Sequence, residues 1–240
     1  LPEPRRGLSE GLGAGEVSRY LAGAAQRGQR WALLRNRSLL LNTLAMTAYT
    51  YAIGGISFWM PTYLHQQRGL PLATATFRFG MITVAAGIGG TLLGGWLGDR
   101  LARRWTGAYG LVSGVGMVLA VPLVIVVLRH PDPTVVWAAL AGAELLLFLN
   151  TGPSNTILVN VTLPHLRSFA IAANIFVIHA LGDVLSPRVM GAVADRRDLG
   201  TAFLSTVGVM ALSGVLWLSS APFLGRDSAR VREQMRDLAG

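Results

Sequence analysis

An all-α membrane bundle of six transmembrane helices, set out as two inverted three-helix repeats, is the fold this sequence predicts. Three observations predict it. The 240 residues are 52% hydrophobic and 14% charged, with a mean hydropathy of +0.47, where a soluble domain carries about a quarter charged residues. Six stretches, at roughly 38–60, 79–98, 107–128, 134–162, 168–194 and 201–224, approach or exceed the roughly 20 mostly apolar residues that cross a bilayer. The second and fifth stretches both close on G-x-x-x-D-R, at Gly95, Asp99 and Arg100 and again at Gly191, Asp195 and Arg196. Each motif ends the second helix of a three-helix set, and the two lie on opposite sides of the membrane, so the sets have inverted topology.

The elements follow in order. Residues 1–37 do not span: "LPEPRRGLSEGLGAGE" reads as a linker. "SRYLAGAAQRGQRWALLRNR" fits either a basic helix on an anionic inner leaflet or a solvated linker helix. The first span should end at an aromatic belt and Pro61. Glycines 87, 89, 90, 94 and 95 crowd the second span, as small residues do where membrane helices approach closely. The fourth carries "NTGPSN", whose Gly152 and Pro153 should bend or break it, which is tolerable only against protein or a cavity. Pro187 lies near the far end of the fifth. Residues 38–224 thus form the bundle, and 225–240 a cytoplasmic tail that reads as a frayed helix with no special task.

The net charge of +9 comes from 21 arginines and no lysine. Fifteen of them lie on the side of the N-terminal segment; Arg68, Arg78, Arg129, Arg196 and Arg197 lie opposite. The positive-inside rule then puts both termini in the cytoplasm of a multi-pass plasma-membrane protein, the inner membrane if the source is bacterial. Such basicity suits anionic lipid, and no nucleic-acid motif accompanies it. There is no cysteine, no G-x-S-x-G, no H-E-x-x-H and no phosphate-binding glycine loop. The four histidines are scattered at 65, 130, 165 and 179, so neither an enzyme, a metal site nor a cofactor is expected. The chain begins at Leu1 and its first methionine is Met46, so it is expected to be part of a longer reading frame.

"GWLGDRLARR" (residues 95–104) resembles the loop motif of the major facilitator superfamily, with Ala102 where that family usually has glycine. The resemblance implies the second half of such a carrier, helices seven to twelve, with the basic segment before the first span matching its central cytoplasmic loop. A narrower likeness follows. "RSFAIAANIFVIHALGDVLSPRVMGAVAD" (167–195) resembles the eleventh helix of Spinster-like transporters. "LLRNRSLLLN" and "FWMPTYLHQQRG" resemble the two ends of their seventh. That resemblance, over roughly residues 31–224, implies proton-coupled movement of lysolipids and sphingoid lipids and a partner in an N-terminal six-helix half.

Ionisable side chains at membrane depth are costly and point to function. Glu144 lies about ten residues into the fourth span and His179 about eleven into the fifth, roughly 15 Å deep at 1.5 Å per residue. Histidine titrates near neutral pH, and either group could carry a coupling proton; the alternative is a structural hydrogen bond between helices. Asp183, at i+4 from His179, could fix the imidazole tautomer or accept its proton, or pack beside Gly182. Arg188, near the outer end, can snorkel unless it faces a cavity. Asn42, Thr47, Tyr51, Asn150, Asn155 and Asn174 could line a cavity and meet a polar headgroup, or join helices. Gly95, Asp99, Arg100, Arg103 and Arg104 form a charged turn that can cap a helix; by resemblance it latches the two halves in one conformation.

The expected function is transport of a small amphipathic substrate by alternating access. The alternatives are an organic-anion facilitator, favoured by arginines in the cavity, and a non-transporting membrane scaffold.

Overall fold

The computed structural model describes residues 33–239, and every regular element among them is helical. Most of the basic segment at 1–37 therefore lies outside the described residues. The helices are α1 (Arg37–Arg68), α2 (Leu72–Ala102), α3 (Ala108–Arg129), α4 (Pro133–Phe148), α5 (Thr151–Asn160), α6 (Arg167–Ile178), α7 (Ser186–Arg196) and α8 (Leu199–Ala239). A π-helical turn, His179–Asp183, lies between α6 and α7. Among the described residues, six lengths of helix are long and apolar enough to cross a membrane: α1, α2, α3, α4 with α5, α6 with α7, and α8.

The helices outrun the apolar stretches of the sequence because the polar residues at their ends are helical too. Pro61 does not end α1, contrary to expectation: the helix runs through it to Arg68. It stops at Gly69, whose φ of 68° supplies the left-handed cap and whose N–H donates to the carbonyls of His65 and Leu64. The start of α1 is capped twice. Asn36 accepts from the N–H of Leu39 at 3.0 Å, and Asp227, reaching over from α8, accepts from the N–H of Ser38 at 3.0 Å. At the other end Arg68 donates to the carbonyls of His130 (2.7 Å) and Val127 (2.8 Å), and Tyr63 to that of Leu128 (2.9 Å). A cation thus meets the negative end of α3.

The fourth span breaks as its sequence suggests, but one turn earlier, at Leu149 and Asn150. Pro153 has no N–H to give the carbonyl of Leu149, so the α-helical ladder fails there. That carbonyl is packed against Gly94 of α2, where a side chain would collide with it. A Cβ on Gly90 would likewise lie 2.5 Å from the carbonyl oxygen of Leu145. The glycines of the second span are therefore what lets α2 close over the break. Gly95 is the exception: its missing Cβ would point into open space.

The fifth span is interrupted in a related way. Pro187 cannot donate to the carbonyl of Asp183. Just before it the N–H of Val184 bonds back five residues to the carbonyl of His179 at 3.2 Å, making the π-turn. Gly182 fits against Thr50, and Gly54 of α1 against Asp183.

Around this frame, α1, α3 and α8 form the core. Gly114 of α3 and Gly214 of α8 approach each other's backbone, Ser213 donates to the carbonyl of Ala45 at 2.8 Å, and Trp217, Phe203, Ile56 and Met117 are fully buried. Windows of four spans are 44% buried, but those of α2 and of α6–α7 only 17%, so these two present open apolar faces. The C-terminal stretch is helical as expected, α8 running as one helix to Ala239, but it packs instead of standing free: Val231 and Met235 join Leu163 and Leu166 in a small second core.

Candidate functional site

Two ionisable sites and one groove stand out, and α1 adjoins the groove and the ionisable pair on the π-turn. The groove lies between α1 and α6, with a volume of about 670 Å³. Leu39, Leu40 and Leu44 line one wall, and Phe169, Ala173 and Val177 the other. Each set recurs at helical spacing, which is why one face of each helix can be so apolar. Among this lining is one polar pair: the hydroxyl of Thr43 donates to Oδ1 of Asn174 at 2.8 Å, and Nδ2 of Asn174 contacts the sulfur of Met46 at 3.5 Å. An apolar slot with a polar pair can take a chain and a headgroup.

His179 and Asp183 sit on the π-turn. The imidazole Nδ1 lies 2.9 Å from Oδ2 of Asp183, and the side chains are 54% and 36% exposed. The other carboxylate oxygen of Asp183, Oδ1, is buried without a hydrogen-bond partner, as is the hydroxyl of Ser186. A π-turn shifts side-chain directions relative to an α-helix and often occurs at functional positions.

Glu144 is placed quite differently. It is 1% exposed, enclosed within the bundle on α4, and its Oε2 has no partner. The ring of Tyr49 stands 6.1 Å from that of Trp217. Sequence depth pairs Glu144 with His179; the structure puts them in different places, one enclosed and one open.

The remaining expected residues divide in the same way. Asn42 is sealed in the core, accepting from Trp217 Nε1 at 2.9 Å and donating to the carbonyl of Ser154 at 3.1 Å; it ties α1 to α8 and α5. Asn150, also sealed in, donates to the carbonyl of Leu147. Thr47 donates back to the carbonyl of Thr43 at 2.8 Å, Tyr51 is half-buried, and exposed Asn155 donates to the carbonyl of Thr151 at 2.8 Å. Arg188 is exposed. Thr43 was not among the expected residues: a threonine in an apolar span gives no signal until its partner, here Asn174, is seen.

At the charged turn, Tyr109 donates to Oδ1 of Asp99 at 3.0 Å, joining the end of α2 to the start of α3. The guanidinium of Arg100 lies 5.7 Å from the ring centroid of Trp96, and Arg103 and Arg104 are exposed. No ion pair engages Asp99 among the described residues. The second copy of the motif differs: Gly191 packs against Trp59, which donates to the carbonyl of Pro187 at 3.0 Å.

Six spans with broken fourth and fifth members, close-packed by glycine, define half of a major facilitator fold. The bacterial homologue of the human lysosomal transporter Spinster, in an inward-facing and occupied conformation, superposes with a TM-score of 0.60 at 18% identity, over 82% of this chain and 50% of that one. Residues 29–136 match the Organic Anion Transporter Polypeptide (OATP) family. Protein spinster homolog 3 of Danio rerio is 32% identical over 209 residues, covering 81% of this chain and 41% of the relative. The sphingosine-1-phosphate transporter SPNS2 of Mus musculus is 28% identical over 264 residues, covering 99% of this chain and 47% of the relative. The chain is therefore a Spinster-family homologue within the major facilitator superfamily, a family of transporters and not of enzymes. It spans about half the length of the curated relatives it matches.

Proposed function

We propose that this chain works as the C-terminal six-helix half of a carrier that moves a small amphipathic substrate, lysolipid- or sphingoid-like, by proton-coupled alternating access. The observation that carries this reading is the groove between α1 and α6, an apolar slot that includes the Thr43–Asn174 pair. The named activity of the mouse relative agrees with it. The open apolar faces of α2 and α6–α7 supply the surface on which an N-terminal half would rock. In this reading residues 1–37 are the cytoplasmic linker, 38–224 the bundle and 225–240 the cytoplasmic tail.

His179 with Asp183, and Glu144, are the groups that exchange the coupling proton. The turn at Gly95, Asp99, Arg100, Arg103 and Arg104 latches the two halves in one conformation. A second reading, a facilitator of more water-soluble organic anions, is favoured by the family match over residues 29–136 and by the exposed Arg188 on α7.

The test is uptake by the complete carrier in liposomes, comparing a labelled lysolipid with a water-soluble organic anion. Ala173→Trp, which fills the groove, should abolish lysolipid uptake while leaving the protein folded. Wild-type lysolipid uptake in that variant would rule the groove out, and uptake of the soluble anion alone by the wild type would select the second reading.

A further inference from the structure

We infer that Thr43 and Asn174 set substrate specificity in the groove between α1 and α6 by recognising an uncharged hydroxyl where the chain of a single-chain lipid meets its head; this rests on the amphipathic-substrate reading above. Both walls of the groove are apolar, and among the described residues that line it none is ionisable. A charged headgroup drawn between those walls would lose its water and gain no counter-charge, so the charge stays outside. What the groove can satisfy is a neutral hydrogen-bonding group, and its two polar side chains meet at one place.

That pair does not use up its own hydrogen-bonding capacity. The hydroxyl of Thr43 gives its one hydrogen to Oδ1 of Asn174 at 2.8 Å, which leaves its oxygen able to accept. The amide of Asn174 carries two N–H donors. Among the described residues Nδ2 meets one acceptor, the sulfur of Met46 at 3.5 Å. A thioether accepts weakly, and this one is shared with Nδ2 of Asn42 at 3.6 Å. Asn174 is 5% exposed, so water does little for it, and an enclosed donor so poorly served calls for a specific explanation. Thr47, one turn along α1, does not help, since its hydroxyl returns to the carbonyl of Thr43. An acceptor and an underused donor thus remain side by side on an apolar wall. A hydroxyl answers both: it donates to Oγ1 of Thr43 and accepts from Nδ2 of Asn174. Lysolipids and sphingoid lipids both carry a free hydroxyl where chain meets head, so the pair reads what the two classes share.

The experiment is uptake by the complete carrier in liposomes of a labelled 1-acyl lysophosphatidylcholine and of its 2-deoxy analogue, which has the same chain and head and lacks the hydroxyl. Wild type should carry the hydroxyl lipid about fivefold faster at equal, subsaturating concentration, the worth of one hydrogen bond. Thr43→Val should bring the two rates together by slowing the hydroxyl lipid, with the deoxy lipid close to its wild-type rate. Thr43→Ser, which keeps the hydroxyl, should restore the preference. Equal wild-type uptake of the two lipids overturns the inference and leaves the lipid-carrier reading standing; wild-type uptake of neither overturns that reading, and the inference with it. A Thr43→Val carrier that keeps the preference, or that slows both lipids alike, shows a structural pair and overturns the inference. Should Thr43→Val fail to accumulate, Asn174→Leu removes the amide with the hydroxyl kept, and the same outcomes decide.

Discussion

Glu144 and His179 lie at matching depths in their spans and in opposite surroundings. Glu144 is enclosed between helices of its own bundle, 1% exposed. His179 stands on an interrupted helix that the bundle leaves open, 54% exposed and paired with Asp183. The contrast extends to whole spans, since α2 and α6–α7 are the open ones and the other four are packed. An enclosed ionisable group acts through what its neighbours do when its charge changes. An open one can meet solvent or substrate directly.

The largest effect should come from the glycines of α2, which face both ways. Gly94→Val puts a side chain into the carbonyl of Leu149 and should cost about 3 kcal/mol, seen as lost folded yield and a lower melting temperature. Gly95→Ala, one residue on, meets nothing within 4 Å and should stay within about 0.5 kcal/mol. Equal effects at the two positions would erase the distinction between closed and open faces.

Next comes the proton. Glu144→Gln and His179→Gln should each change the pH dependence of uptake by the complete carrier, and unchanged profiles in both would end the proton-relay reading. Smaller again is the core network. Trp217→Phe leaves Asn42 without its donor and should lower stability by about 1–2 kcal/mol, measurable by thermal unfolding in detergent. Asp99→Asn should shift the balance between inward- and outward-facing states by about fivefold, the worth of roughly 1 kcal/mol, read by accessibility labelling; an unchanged balance would sink the latch.

The smallest effect belongs to Asp198, outside the spans. Thr201 donates to it from its hydroxyl at 2.6 Å and its N–H at 2.8 Å. The hydroxyl of Thr201 leads the interactions that hold the carboxyl below the usual carboxylate range. A depressed folded-state value means stability that is present above the ordinary carboxylate pKa and lost as pH falls through the folded one. Asp198→Asn should therefore melt slightly below wild type at pH 7, and the gap should close in acid.

Much of this was legible beforehand. Gly152 and Pro153 announced a break in the fourth span, and the ladder does fail at the carbonyl that Pro153 cannot serve. The i+4 spacing of His179 and Asp183 announced a contact, found at 2.9 Å. Pro61 misled, because a proline near a span's end is compatible with a helix that continues into polar residues. Asn42 and Asn174 looked alike in sequence. Asn42 proves sealed in the core, and Asn174 lines the groove with Thr43, because which helix lies opposite decides an asparagine's partner.

What the sequence determined by itself is one-dimensional: six apolar lengths, the arginines between them, the repeated G-x-x-x-D-R, the depth of each polar residue and the places where proline or glycine interrupts a helix. Hydropathy and backbone chemistry act locally along the chain and need no partner to be read. Which side of a helix is closed was decided only by tertiary structure. That choice depends on close approaches such as Gly94 to Leu149 and Gly54 to Asp183, between residues far apart in the chain. Lipid and protein interior are equally apolar, so hydrophobicity cannot tell the two faces apart; packing and hydrogen bonding between helices make the distinction.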